Sequence, residues 1–212
     1  MRGFTTLSFT KKKHETGDIY TFYFTPKKPL RHIAGQHGLF ILPGLYRPHP
    51  FTLSSAPNED YVTFSTHIDT GSRYKKRLME LKRGDKVQFV GPILRFTLQP
   101  DQSKYVFLAQ GIGITPFRSM LVAAHDEKLP IETTLIHVDK SEHAFKSLTR
   151  KLATHAHYPK SSQEFNFYVN DLSTDSLFYL SGSPRFVRQT RQTLLEMGVP
   201  AQHIKADSFL GY

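Results

Sequence analysis

The sequence predicts two units in series. Residues 1–98 read as a six-stranded antiparallel Greek-key β-barrel with a short helix, and residues 99–212 as an α/β unit on a mostly parallel sheet. Three observations lead there. The first half is cut by Gly and Pro into short aromatic-rich segments with period-two alternation. The second half alternates apolar runs with helical periodicities, the rhythm of strand–helix–strand units. Between them, Leu98-Gln99-Pro100-Asp101-Gln102 carries neither pattern.

Each element has its own justification. Segment 4–9 is a first strand, and 18–25 follows Gly17 with Tyr20, Phe22 and Phe24 on one face. Segment 37–42 lies between Gly35 and Pro43-Gly44. Segment 51–55 is entered through Pro48 and Pro50, which lack the donor a strand interior needs and so suit an entrance or edge. Segments 61–68 and 87–91 complete the set. Between these two, 72–81 places Tyr74, Leu78 and Leu81 at helical spacing. In the second half, 104–109 is an apolar run suited to a strand covered on both faces. Helices are expected at 115–125, 142–154 and 185–198, and strands at 133–138, 165–169 and 177–182.

Composition excludes several chemistries. The chain has 212 residues, a net charge of +10 and no cysteine. Disulfides, thiolate-held iron–sulfur clusters, cysteine zinc sites and a cysteine nucleophile are therefore excluded. His155 and His157 resemble a ligand pair, but no third ligand follows at metal spacing, so no metal is expected. No GxSxG elbow is present. The start of the sequence lacks the apolar run of a signal peptide and no stretch approaches a membrane span, so a cytoplasmic protein, or one peripheral at a membrane, is expected. The charge is uneven: 16 basic against 7 acidic residues in 1–98, and 12 against 11 in 99–212. A basic first half suits an anionic cofactor, an acidic protein, nucleic acid or anionic lipid.

Two turns in the second half carry chemistry. Strand 104–109 runs into AQGIGITPF, where Gly111, Gly113, Thr115 and Pro116 occupy a strand-to-helix turn. Glycine lets backbone donors approach a phosphate, and a helix start favours an anion. A second such turn, LSGSPRF, places Gly182, Ser183 and Pro184 after another apolar strand. In a parallel sheet both would face the crevice at the carboxyl ends of the strands.

In order, the barrel, HPFTLSS (49–55), the short helix, Gly91-Pro92, GIGITP, SGSP and the terminal DSFLGY resemble the ferredoxin–NADP reductase superfamily over nearly the whole chain. HPFT looks most like the flavin motif of ferric reductases and NADPH oxidases, in place of the more widespread Arg-x-Tyr-Ser/Thr. The resemblance implies a flavin-dependent NAD(P)H oxidoreductase with an FAD-binding barrel and an α/β nucleotide-binding domain, FAD being preferred to FMN. Phe51 would pack on the isoalloxazine, Thr52 would bond near its N5 atom, and His49 would contact its phosphate region, with Pro50 stiffening the approach and Arg47 adding permanent charge. His67 and Ile68 would make flavin contacts. Ser72, Arg73, Tyr74 and Lys75 would open the helix that receives the pyrophosphate, Ser72 as its cap. Phe209 and Tyr212 would cover the flavin's far face, and Asp207 is either a proton relay or an exposed acid. Three departures stand out: Lys75 where relatives carry a hydroxyl, Gly91-Pro92-Ile93-Leu94 in place of GPxG, and Ser181 in place of a cysteine.

The expected cofactors are FAD and NADPH or NADH. Asp139 argues for the ribose hydroxyls of NADH and Lys140 for the extra phosphate of NADPH. The expected acceptor is separate: an acidic ferredoxin or flavodoxin, a membrane haem or di-iron protein, or a ferric chelate. The alternatives are a basic nucleic-acid-binding barrel and a flavin-binding regulator without turnover.

Overall fold

The computed structural model describes residues 4–93 and 96–209. Six strands form the first sheet: β1 (Phe4–Thr16), β2 (Ile19–Pro26), β3 (His37–Ile41), β4 (His49–Thr52), β5 (Val62–His67) and β6 (Lys86–Ile93), with helix α1 (Arg73–Glu80) before the last. All pairings are antiparallel, in the order β4-β3-β6-β1-β2-β5. The end strands approach beyond β4, where Ser54 N donates to Thr63 O at 2.8 Å and Thr63 N to Ser55 Oγ at 3.0 Å.

Period-two alternation explains the barrel's interior. Phe22 and Phe24 project inward from β2 and meet Phe40, Phe64 and Phe89, all fully buried. Phe40 lies 4.6 Å from Phe64 and 5.1 Å from Phe89, centroid to centroid. Each such ring contributes roughly 1.5–3 kcal/mol by leaving water. Tyr74 and Leu78, one turn apart on α1, close one end, and the Tyr74 hydroxyl donates to Phe40 O at 3.0 Å.

The second sheet contains β7 (Lys104–Gln110), β8 (Glu132–Val138), β9 (His155–His157), β10 (Leu177–Gly182) and β11 (Ile204–Ser208), with helices α2 (Thr115–Asp126), α3 (Lys146–Leu152), α4 (Ser162–Asn170) and α5 (Pro184–Glu196). All pairings are parallel, in the order β11-β10-β7-β8-β9. On β7, Tyr105, Phe107 and Ala109 face the layer containing Phe117 and Met120 of α2. Val106 and Leu108 face the layer of Phe165, Val169, Phe186 and Leu194 from α4 and α5. Between β7 and β10 the strand order reverses, which places a crevice beyond their carboxyl ends.

Two expectations are corrected, and two strands were not expected. Segment 165–169 is not a strand but part of α4. Its Phe, Tyr and Val suit a strand, yet Phe165 and Val169 share one helix face into the core while Phe167 is exposed. The overlooked signal was Ser161-x-x-Glu164: Ser161 Oγ accepts from Glu164 N at 3.1 Å, a helix cap. The helix expected at 142–154 contracts to α3, which starts after Phe145 in the left-handed region at φ 59°. His155-Ala156-His157 is an edge strand, with His157 stacked on Tyr168 at 4.2 Å. The strand β11, polar and at a sheet edge, was missed; such edges lack an apolar run.

Candidate functional site

The crevice opens toward β4. A cavity of about 350 Å³ lies where the barrel meets the second sheet. From the barrel its wall takes His49, Pro50, Phe51 and Thr52 of β4, Thr66 and His67 of β5, and Lys75 of α1. From the other side come Ile112 and Thr115 at the first glycine turn and Asp207, Ser208 and Phe209 at the end of β11. Nine predicted residues are thus gathered around one cavity from five separate stretches of chain.

The HPFT strand is held from behind. The Phe51 ring stacks on Phe64, centroids 4.1 Å apart and planes 9° apart. His49 stacks on Tyr74 at 3.9 Å, and burial, then the Lys75 charge, push its imidazole pKa down. Lys75 is 5% exposed, with its ammonium bonded to Thr66 Oγ1 and 4.9 Å from the Phe51 centroid. Burial pushes its pKa down to about 8, with the Asp18 charge acting in the opposite sense. A cation so placed, with a hydroxyl rather than an acid as its bonded partner, suits an anionic ligand. His67 Nδ1 bonds Asp18 Oδ1 at 2.7 Å, which fixes its ring at the cavity edge.

Thr52 and Asp207 are joined by a residue the sequence reading missed. His37, the first residue of β3 and 4% exposed, places Nε2 3.0 Å from Thr52 Oγ1 and 3.0 Å from Asp207 Oδ2. Asp207 is therefore not an exposed acid; its side chain keeps 14% of its surface. The signal for His37 lay in register alone: it pairs with Thr52 across β3 and β4.

The glycines divide their work. Gly111 sits at φ 54°, and the nearest atom to an added Cβ would be Asp139 Oδ2 at 3.8 Å, so its surroundings are open. Gly113 is different: a Cβ there would lie 2.2 Å from Ser181 O. It permits close packing of the turn on β10. His137, missed in sequence, donates from Nε2 to Gly111 O at 2.8 Å and holds the turn from below. Its burial pushes the imidazole pKa down to about 4. Gln110, also missed, accepts from Ser183 Oγ at 2.6 Å and ties the two turns together. Ser183 Oγ in turn caps α5, accepting from Phe186 N at 3.2 Å.

A second cavity, of about 990 Å³, lies beside these turns and is lined by Gln110, Lys140, Ser183, Arg185 and Arg188 among others. Asp139 Oδ1 accepts from Ser141 N and Ser141 Oγ, both at 2.9 Å, while its Oδ2 lies beside the Gly111 turn. Arg47, Ile68, Ser72, Arg73, Tyr74, Gly111, Gly113 and Pro116 line neither cavity; Tyr74 and Pro116 serve packing behind them. Ser72 stands at the N-cap of α1 but makes no side-chain capping bond, contrary to expectation. Gly182 and Pro184 turn the chain from β10 into α5. Tyr212 lies outside the described residues.

No family model matches the chain. It is 26% identical over 231 residues to the flavohemoprotein of Bacillus subtilis, covering 94% of this chain and 57% of that protein. It spans about three-fifths of the length of the curated flavohemoproteins it matches. Among solved structures it resembles flavohemoglobin from Malassezia yamatoensis with bound FAD and heme, at a TM-score of 0.83 and 19% identity, over 98% of this chain and 60% of that one. It also resembles a ferredoxin NADP+ reductase from Neisseria gonorrhoeae with bound FAD and NADP, at a TM-score of 0.80 and 20% identity, over 97% and 98%. The two-unit architecture is that of the ferredoxin–NADP reductase fold.

Proposed function

We propose that the chain is an FAD-dependent NADPH oxidoreductase that passes electrons to a separate acidic protein. The observation that carries this reading is the 350 Å³ cavity, where Phe51 and Thr52 from the barrel face Thr115 and Phe209 from the dinucleotide side. Such a junction is what transfer between two flat rings requires: one ring held by each unit, water excluded, and the reacting atoms in contact. The bound flavin would supply hydride acceptance and single-electron release, chemistry that no side chain offers.

The residues present fit that group. Phe51 gives an apolar face, and Thr52 a hydroxyl beside it. Lys75 gives buried positive charge toward an anionic ligand, while Arg47, Arg73 and Lys76 are exposed on the same two elements or next to them. Phe209 closes the side from which the nicotinamide would enter.

Three cations support NADPH over NADH. Lys140, Arg185 and Arg188 line the larger cavity, while the competing acid, Asp139, is not part of that lining and bonds Ser141 through one oxygen. A ribose phosphate adds charge those cations would meet. The acidic acceptor follows from the excess of basic residues in 1–98.

Thr52→Ala tests the central assignment. Flavin should be retained while its reduction by NADPH slows about tenfold to a hundredfold, the scale for one well-placed hydrogen bond at a reacting atom. Reduction at the unaltered rate rejects the role.

A further inference from the structure

The geometry points to a role for His37, which deepens the flavin reading above and rests on it: with its tautomer set by the neighbouring Asp207, His37 fixes Thr52 as a hydrogen-bond donor into the cavity. A carboxylate oxygen presents only lone pairs, and so does an unprotonated ring nitrogen. With Nε2 3.0 Å from Asp207 Oδ2, two such groups would repel, so the ring proton resides on Nε2. That proton is aligned with Thr52 Oγ1 at 3.0 Å, while Asp207 Oδ2 receives no aligned hydrogen bond. Thr52 therefore accepts from His37, and its own hydroxyl hydrogen is left to point elsewhere. Thr52 is 4% exposed and lines the cavity, so the hydrogen is directed at whatever atom lies there. A flavin ring nitrogen, an acceptor before hydride arrives, is the complement of that donor.

The arrangement also spans the junction. His37 and Thr52 belong to the antiparallel sheet, and Asp207 to β11 of the parallel one. Electrostatic selection of the Nε2–H tautomer thus depends on the second unit being docked against the first. His37 is a positioning residue: it acts through Thr52. The Nδ1 atom, buried and without a bonded partner among the described residues, makes no competing demand on the ring's orientation.

Nitrogen NMR of the protein labelled with ¹⁵N-histidine and freed of flavin reads the tautomer directly. His37 should show Nε2–H; an Nδ1–H ring overturns the inference. In protein loaded with flavin labelled at N5, His37→Leu should shift the N5 resonance and slow reduction about three- to tenfold, the scale of one neutral hydrogen bond. His37→Gln, whose amide still donates to Thr52, should restore both. An unchanged N5 resonance and rate in His37→Leu overturn the inference even with Nε2–H observed. If His37→Leu does not fold, the tautomer of the unaltered protein decides alone. Wild-type protein that binds no flavin sinks the functional reading instead, and the tautomer still decides how Thr52 is oriented.

Discussion

Lys75 shows how a single residue links stability to ligand binding. Its folded pKa, about 8, lies below the ordinary 10.5, so the folded chain binds fewer protons than the unfolded chain between those values. Stability must then rise as pH increases from about 8 to 10.5, and is lowest, with respect to this group, below 8. The gain should reach up to about 3 kcal/mol. Denaturant titrations of flavin-free protein check this: Lys75→Met should be more stable than wild type at pH 7, lose that rise, and bind flavin more weakly. Equal pH profiles would remove the buried charge from the account. At this scale the sequence was readable where a motif names the residue. His49, Phe51 and Thr52 of HPFT all reach the cavity. It was unreadable where the role comes from a neighbour across strands, as with His37, Gln110 and His137, whose partners lie 15, 73 and 26 residues away.

Among elements, the glycine turn after β7 does two jobs that substitution can separate. Gly113→Ala forces a Cβ against a backbone carbonyl of β10, which cannot swing aside as a side chain can. It should cost more than about 2 kcal/mol and appear as lost folded protein. Gly111→Ala meets only Asp139 Oδ2, at 3.8 Å and a positive φ, costs only about 1 kcal/mol, and should leave the protein folded. Thermal melts beside nucleotide titrations distinguish the two; equal melting temperatures would contradict the assignment. The helix that follows is tied to the barrel. Arg118 of α2 bonds both carboxylate oxygens of Glu59 and donates to Ser54 O at 2.8 Å, while Ser119 Oγ donates to Ser55 O at 2.7 Å. The chain leaving HPFT is thus anchored to the helix leaving the glycine turn. Elements with a clean period were legible in sequence, from the alternating β2 to the apolar β7. Those that failed were α4, rich in strand-forming residues, and β9 and β11, short polar edges whose pairing comes from the sheet.

Across the whole molecule, the two sheets place the carboxyl ends of β7 and β10 against the HPFT strand, and charge is distributed to match. Sixteen basic residues against seven acidic in 1–98 give the barrel half a positive field, to which the proposed acidic carrier would be drawn. Reduction of an acidic ferredoxin or flavodoxin should therefore slow steeply between low and physiological salt, by tenfold or more, while reduction of small ferric chelates changes little. Equal salt dependence for both would argue against electrostatic docking. The architecture was legible from sequence because alternation, glycine turns and motif order agree with one another. Donor choice was not, because Asp139 and Lys140 are adjacent and argue opposite ways; the fold adds that Asp139 bonds Ser141 and that Lys140 lines a cavity with Arg185. If the proposed function holds, the junction joins flavin to NADPH. The measurement that tests it most directly is an anaerobic titration of FAD-loaded protein with NADPH and, separately, NADH, followed in the visible spectrum. Flavin absorbance should bleach with one equivalent of donor, faster with NADPH. A flavin band that neither donor bleaches, or a protein that takes up no FAD, would contradict it.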